Sequence, residues 1–224
     1  MSRVLAYCAY LERHGLTPAE SGVEKSSVHI LESERLRLLW SEIPWPFQPE
    51  HLQQNAVEFH EVVHRLFRQV AVVPFRLLST FEDRQLLERF VAEHRSALVA
   101  DLERLEPFVQ MEAVVYTVAE KSVAAASGKE YLQAKAQQAN AVREHAQMLR
   151  DRVAEISADV HLRENKNGIR LFALVRRGAE QKFKETITQL EIPKGLSRRV
   201  SGPWPTAEFM SGEVKMPALV TRNE

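Results

Sequence analysis

The sequence predicts an α+β protein of two domains, the C-terminal one ferredoxin-like (βαββαβ) and carrying one unusually long helix. Three observations lead there. After Pro107 the apolar pattern runs strand, helix, strand, strand, helix, strand, the order of two helices packed on one face of an antiparallel sheet. Between the two middle strands stands Asn165-Lys166-Asn167-Gly168, and Asn-Gly is the strongest short hairpin signal. In the first of these helices apolar residues recur at three and four residues from Leu132 to Val160, roughly 30 residues or about 45 Å, against about 20–23 Å for a strand of six or seven residues. About half of that helix is therefore expected to project beyond the sheet. The chain divides into an N-terminal α+β domain, 1–106, the ferredoxin-like domain, 107–210, and a tail, 211–224.

Residues 4–11 are apolar on both alternating faces, Val4, Ala6, Cys8 and Tyr10 against Leu5, Tyr7, Ala9 and Leu11, as in a strand covered on both sides. Residues 27–31 and 36–41 form two short strands joined by Glu32-Ser33-Glu34-Arg35, with Leu36, Leu38 and Trp40 on one face. Pro44-Trp45-Pro46-Phe47 breaks this pattern. A helix then opens at Pro49 and Glu50 and repeats Leu52, Ala56, Phe59, Val63, Leu66 and Val70 at helical spacing. Residues 70–75 are β-rich. Ser79 and Glu82 have the spacing of a capping box, which starts a second helix through Leu86, Leu87, Phe90, Leu98 and Leu102 to about 105.

The second domain opens with a strand at 109–118. Ser127 and Glu130 form a second capping box at the start of the long helix, whose first half is rich in alanine and polar residues and suits close helix-helix contact. That half is expected to pack on the helix at 80–105 or on a partner. Strands at 160–163 and 169–176, a helix at 180–190 and a strand from 196 to 200 follow. The last strand runs into Ser201-Gly202-Pro203-Trp204-Pro205, where two prolines without N–H groups are expected to take the chain out of the sheet in extended form and hold Trp204 between them.

Thirty basic and thirty acidic side chains leave no net field to draw nucleic acid, and no apolar run approaches the roughly 20 residues that cross a bilayer. The first residues turn polar at Glu12-Arg13-His14, too soon for a secretory signal, so an intracellular protein is expected. The single cysteine, Cys8, excludes an internal disulfide and a cysteine-rich zinc site. None of the 8 glycines builds a phosphate-cradling loop, and no serine sits in a nucleophile elbow. One motif carries chemistry on its face. His60-Glu61-Val62-Val63-His64 matches H-E-x-x-H on a predicted helix, the arrangement of two zinc ligands one turn apart beside a general base. The metzincin extension fails at Phe67 and Val70. The alternative places His60 and His64 on the flank of the Phe59, Val63 and Leu66 stripe, half-buried and hydrogen-bonded.

Several segments, taken in order, resemble the gas vesicle accessory family GvpL/GvpF. They are His60-Glu61-Val62-Val63, then Val72-Val73-Pro74-Phe75-Arg76 with Thr80-Phe81, then Ser127-Gly128-Lys129-Glu130-Tyr131-Leu132, and finally Gly202-Pro203-Trp204-Pro205 with Phe209. The chain departs from the family at Leu77-Leu78, where Phe-Gly is usual, and at Thr206-Ala207, where an aromatic follows the last proline. The resemblance implies a non-enzymatic part in gas vesicle formation, inside the cell and at the gas vesicle. It implies contact with the hydrophobic shell protein and other accessory proteins, without cofactor, metal or nucleic acid. It also marks Pro74, Arg76, Gly202, Pro203, Trp204 and Pro205 as shared structural residues. A zinc-dependent hydrolase built on His60, Glu61 and His64 is the competing reading, and a generic helical adaptor a third.

Overall fold

A computed structural model describes residues 1–77, 79–118, 128–166 and 168–212. The fold is mixed, with two antiparallel sheets and four α-helices among the described residues, in two compact units. The first unit comprises Met1–Pro107 together with Pro205–Glu224, and the second Phe108–Trp204.

The first unit is organised around β1 (Ser2–Leu11), which pairs on one side with β3 (Leu36–Pro44), itself paired with β2 (His29–Ser33). Only Glu34 and Arg35 connect β2 to β3, so Glu32 and Ser33, expected in the turn, belong to the ladder; Glu34 turns the chain at φ 55°. After α1 (Leu52–Phe67), two short strands, β4 (Val73–Pro74) and β5 (Thr80–Phe81), both pair with the other side of β1. α2 (Arg84–Leu105) completes the layer.

The alternation expected for β1 is interrupted. Ala6 lies opposite Trp40 and Cys8 opposite Leu39, so Tyr7 is an extra residue that swaps the faces of everything after it. Val4 and Ala6 before the bulge, and Ala9 after it, therefore share the face covered by α2, where they join Leu38, Trp40, Phe75, Leu87, Leu98 and Leu102 in one core. Tyr7 turns to the opposite layer and meets Phe59 of α1 at 5.3 Å between ring centroids. Its hydroxyl accepts from Val23 N–H at 3.0 Å and donates to Ser41 Oγ at 3.1 Å, and Ser41 Oγ donates to the Ser27 carbonyl at 2.7 Å. Gly22 is required here because a Cβ would collide with the Tyr7 hydroxyl.

Both helices differ in detail from the sequence pattern. In α1, Leu52 and Ala56 are exposed while Asn55 and Val62 are buried, because Asn55 donates its amide to Glu24 Oε1 at 3.1 Å and so turns the helix. Ser79 does not cap α2. Thr80 and Phe81 are still extended against β1, and Asp83 is the cap, its carboxylate accepting from Leu86 N–H at 2.8 Å. Ser79 instead closes the preceding turn, its hydroxyl accepting from Arg76 N–H at 3.2 Å.

Residues 205–210 group with this unit and not with the domain expected at 107–210. Asp101 on α2 is 2% exposed and accepts from Ser211 N–H at 3.0 Å and Ser211 Oγ at 3.0 Å, while Arg104 pairs with Asp101 and donates to the Phe209 carbonyl at 2.7 Å. Removing that return would leave the buried carboxylate with Arg104 but without its Ser211 donors.

In the second unit the elements run β6 (Phe108–Thr117), α3 (Gly128–Ala154), β7 (Asp159–Asn165), β8 (Gly168–Arg176), α4 (Glu180–Thr188) and β9 (Leu196–Trp204). The strands are antiparallel in the order β7-β8-β6-β9. Asn165 pairs with Gly168, which leaves two residues in the turn; Asn167 lies outside the described residues, as does Ser127 of the expected capping box. Val109, Met111, Ala113 and Val115 on β6, with Leu171, Ala173 and Val175 on β8, are buried together with Val142, Ala146, Leu149 and Val153 of α3. His145 lies in the same turn of α3 and is 1% exposed, with no hydrogen-bond partner for either ring nitrogen among the described residues. Burial, reinforced by the Arg198 charge, pushes its pKa below the usual imidazole value.

β9 does not end where the prolines were expected to stop it. Its ladder with β6 shifts register between Gln110 and Glu112 and resumes with Trp204 opposite Gln110. The prolines are tolerated because β9 is the edge of the sheet and bulged. Gly202 makes the shift possible. It sits at φ 114°, and a Cβ there would stand 2.9 Å from the Gln110 carbonyl oxygen.

Tyr7→Phe removes the hydroxyl that satisfies Val23 N–H, and equilibrium denaturation should show a loss of about 1–3 kcal/mol. Gly202→Ala is expected to cost roughly 1–3 kcal/mol in the same measurement through backbone strain and crowding. Because His145 is held neutral, the stability that depends on it is complete above the ordinary imidazole pKa and is lost as the pH falls through the depressed folded value. Melting temperature should therefore drop more steeply between pH 7 and pH 5 for the native chain than for a His145→Leu variant.

Candidate functional site

His60, Glu61 and His64 all lie on α1, and the structure brings the two imidazoles together at 5.2 Å between ring centroids. His60 and Glu61 are exposed and His64 is half-buried, so the expectation that both histidines flank the core half-buried holds for His64 alone. Burial, then the charges of His60 and Arg68, lowers the His64 pKa. A neutral imidazole is the ligating form, but a closed or catalytic zinc site takes at least three protein ligands. Among the described residues no group of three His, Cys, Asp or Glu side chains is placed to hold a metal ion. The motif thus supplies two nitrogens one helical turn apart and no third donor.

Pro74 and Arg76 flank Phe75, whose N–H donates to the Tyr7 carbonyl at 2.8 Å directly beside the bulge. The Arg76 side chain is exposed, and its backbone closes the turn on Ser79, accepting from Ser79 N–H at 2.8 Å. This segment therefore holds the register of β4 and β5 on β1.

Trp204 is half-buried, and its Nε1 donates to Ser201 Oγ at 3.3 Å. Ser201 Oγ donates in turn to Glu112 Oε2 at 3.3 Å, and Arg170 Nη1 meets Glu112 Oε1 at 3.4 Å. A polar row thus crosses three strands, β9, β6 and β8, on the face that points away from Met111 and Ala113. On β7, Arg163 lies over the Phe172 ring at 5.4 Å on the same face. Nothing in the local sequence announced this row, since Glu112 and Arg170 come from distant strands and meet through register alone. The Asp101–Arg104–Ser211 clamp and the buried His145 were likewise outside the reach of motif or periodicity.

Along α3 the buried stripe starts only at Val142. The described side chains of 128–140 are exposed, Leu132 at 66% among them. Between Lys135, Gln138 and Ala139 of this half and Tyr116, Thr117 and Lys166 at the end of the sheet lies an open groove of ≈ 460 Å³. No helix among the described residues is long and apolar enough to cross a membrane.

The sequence and the fold of this chain both have counterparts among known proteins. A model of the gas vesicle synthesis protein GvpL/GvpF family matches residues 3–211. Among solved structures, the gas vesicle protein GvpF from Anabaena sp. PCC7120 is similar at a TM-score of 0.74 and 11% identity, over 97% of this chain and 98% of that one. GvpF from Microcystis aeruginosa is similar at a TM-score of 0.71 and 13% identity, over 93% of this chain and 98% of that one. No curated protein sequence matches. At such identities the structures speak for the fold, and the family model, which spans nearly the whole length, speaks for descent: the chain belongs to the GvpL/GvpF family of gas vesicle synthesis proteins.

Proposed function

We propose that this protein is a non-enzymatic accessory of gas vesicle assembly that binds the hydrophobic shell protein and other accessory proteins in the cytoplasm and at the vesicle. The observation that carries the reading is the family match over residues 3–211. Its second unit is read as a ferredoxin-like domain, supported by the element order βαββαβ and the strand order β7-β8-β6-β9. The long helix fits a partner role. Its 27 residues span about 40 Å, and its first half carries Tyr131 and Leu132 into solvent, where they add nothing to the stability of the chain. Pro74, Arg76, Gly202, Pro203, Trp204 and Pro205 are read as residues that order the fold around β1 and β9. Exposed apolar side chains gathered on one element are more costly than scattered ones, and a partner that covers them accounts for their presence.

Retention of the shell protein by the purified chain is the direct test, and a failure to recover it with any protein of the same assembly pathway would end the reading. A Tyr131→Ser, Leu132→Ser double variant should keep its stability within about 0.5 kcal/mol, since both side chains are exposed, while losing most of its partner retention or its ability to restore vesicles to a deletion strain. The zinc hydrolase reading makes the opposite forecast for metal. We expect a chelator to leave the melting temperature unchanged and the purified protein to carry no stoichiometric zinc.

A further inference from the structure

His60 and His64 lack the third donor of a zinc enzyme, yet two imidazoles one helical turn apart are a chelate in their own right. The helix fixes their relation. Phe59, Val62, Val63 and Leu66 of α1 are buried, so its core side is anchored and the two histidines stand together on its flank. Side chains four residues apart on a helix are neighbours, about 5–6 Å between Cβ atoms, and their tips reach a common point without any change in the backbone.

The separation of the rings matches that of a shared ion. An ion about 2.0–2.1 Å from one nitrogen of each imidazole, at angles from about 90° to about 110°, sets the ring centroids about 4.5–5.3 Å apart. Those of His60 and His64 are 5.2 Å apart, with the planes inclined at 33°. His60 is exposed and His64 half-buried, which keeps both within reach of an ion in solution. Burial and the charges of His60 and Arg68 favour neutral His64, the form that ligates. Arg65 is drawn toward the Thr17 carbonyl, to which its Nε donates at 3.3 Å, whereas the Arg68 charge works against a bound cation and keeps the affinity modest.

The class of ion follows from the donors. Calcium and magnesium take oxygen ligands, and soft ions take thiolates, but neutral imidazole suits copper, nickel and zinc in their divalent states. For a given nitrogen site, copper binds ahead of nickel and zinc. Among the described residues no third His, Cys, Asp or Glu joins the pair, so water completes the coordination.

We propose that His60 and His64 form a two-nitrogen site for an exchangeable divalent transition-metal ion, Cu(II) ahead of Ni(II) and Zn(II), with water at the remaining positions. The site is independent of the assembly role and gives Glu61 no catalytic part. An ion held by two nitrogens exchanges during purification, which is compatible with a preparation that carries no stoichiometric zinc and that a chelator does not destabilise.

Calorimetric titration of the metal-free full chain with Cu(II), Ni(II) and Zn(II) tests the proposal. One Cu(II) per chain is expected, with a dissociation constant on the order of micromolar and weaker binding of the other two ions. His60→Ala and His64→Ala should each weaken Cu(II) binding by about tenfold or more. Should either variant fail to fold, electron paramagnetic resonance of Cu(II) on the native chain still decides, because two imidazole nitrogens should couple to the ion. Binding no tighter than millimolar overturns the proposal, as does binding that both variants leave unchanged, or coupling to fewer than two imidazole nitrogens. Zn(II) held more tightly than Cu(II) indicates donors beyond this pair, and it too overturns the two-nitrogen site.

Discussion

β1 has to serve two apolar layers at once, and the bulge at Tyr7 is how it does so. A strand of strict alternation would send Ala9 and Leu11 to the side of Leu5, leaving the α2 layer without the second half of its floor. One extra residue restores Ala9 to that layer, and that residue, Tyr7, carries its ring and hydroxyl into the α1 layer. The polarity is absorbed by Val23, Ser41 and Ser27, and the room by Gly22, so that a loop far from β1 in sequence is fixed by one phenol. Phe75 N–H reaches the carbonyl of the same residue. The pairing of β4 and β5, the position of the Pro74–Arg76 turn and the docking of α1 through Phe59 all refer back to Tyr7.

The second unit solves its edge differently. β9 carries a feature hostile to a ladder, Pro203, and uses Gly202 to step past it before Trp204 rejoins β6, while Pro205 follows the strand. The indole N–H is then joined to the row Ser201, Glu112, Arg170. An isolated buried carboxylate would be costly; here it has an arginine and a hydroxyl, and it locks three strands in register. Gly202-Pro203-Trp204-Pro205 thus corresponds to a strand that ends late and laterally braced, where the sequence suggested one that leaves the sheet early.

Element order and type were largely legible because they depend on periodicity, but the repeat expected to carry the long helix to Val160 stops at Ala154, and Val160 lies in β7. What escaped was set by contacts between distant residues. The bulge is invisible because residues 4–11 are apolar throughout, and no pattern of apolar against apolar marks a change of face. Ser79 and Asp83 are equally good caps by type, and only the pairing of Thr80 and Phe81 with β1 decides between them. The helical repeat continues through the exposed half of α3 because alanine and leucine favour helix wherever they stand, so periodicity overstated its burial. For the H-E-x-x-H pattern the two histidines were placed correctly on one face, and the absence of a third donor from among the described residues required three dimensions.

The grip of Asp101 and Arg104 on residues 209–211 has a consequence for the order of events as the chain leaves the ribosome. Residues 1–107 emerge first and can collapse around β1, yet the polypeptide that completes their unit follows the whole of the second one. Until Ser211 arrives, the buried Asp101 carboxylate is held by Arg104 of its own helix alone. The contacts of the N-terminal unit are therefore complete only once residues 209–211, which follow the whole of Phe108–Trp204, have been made.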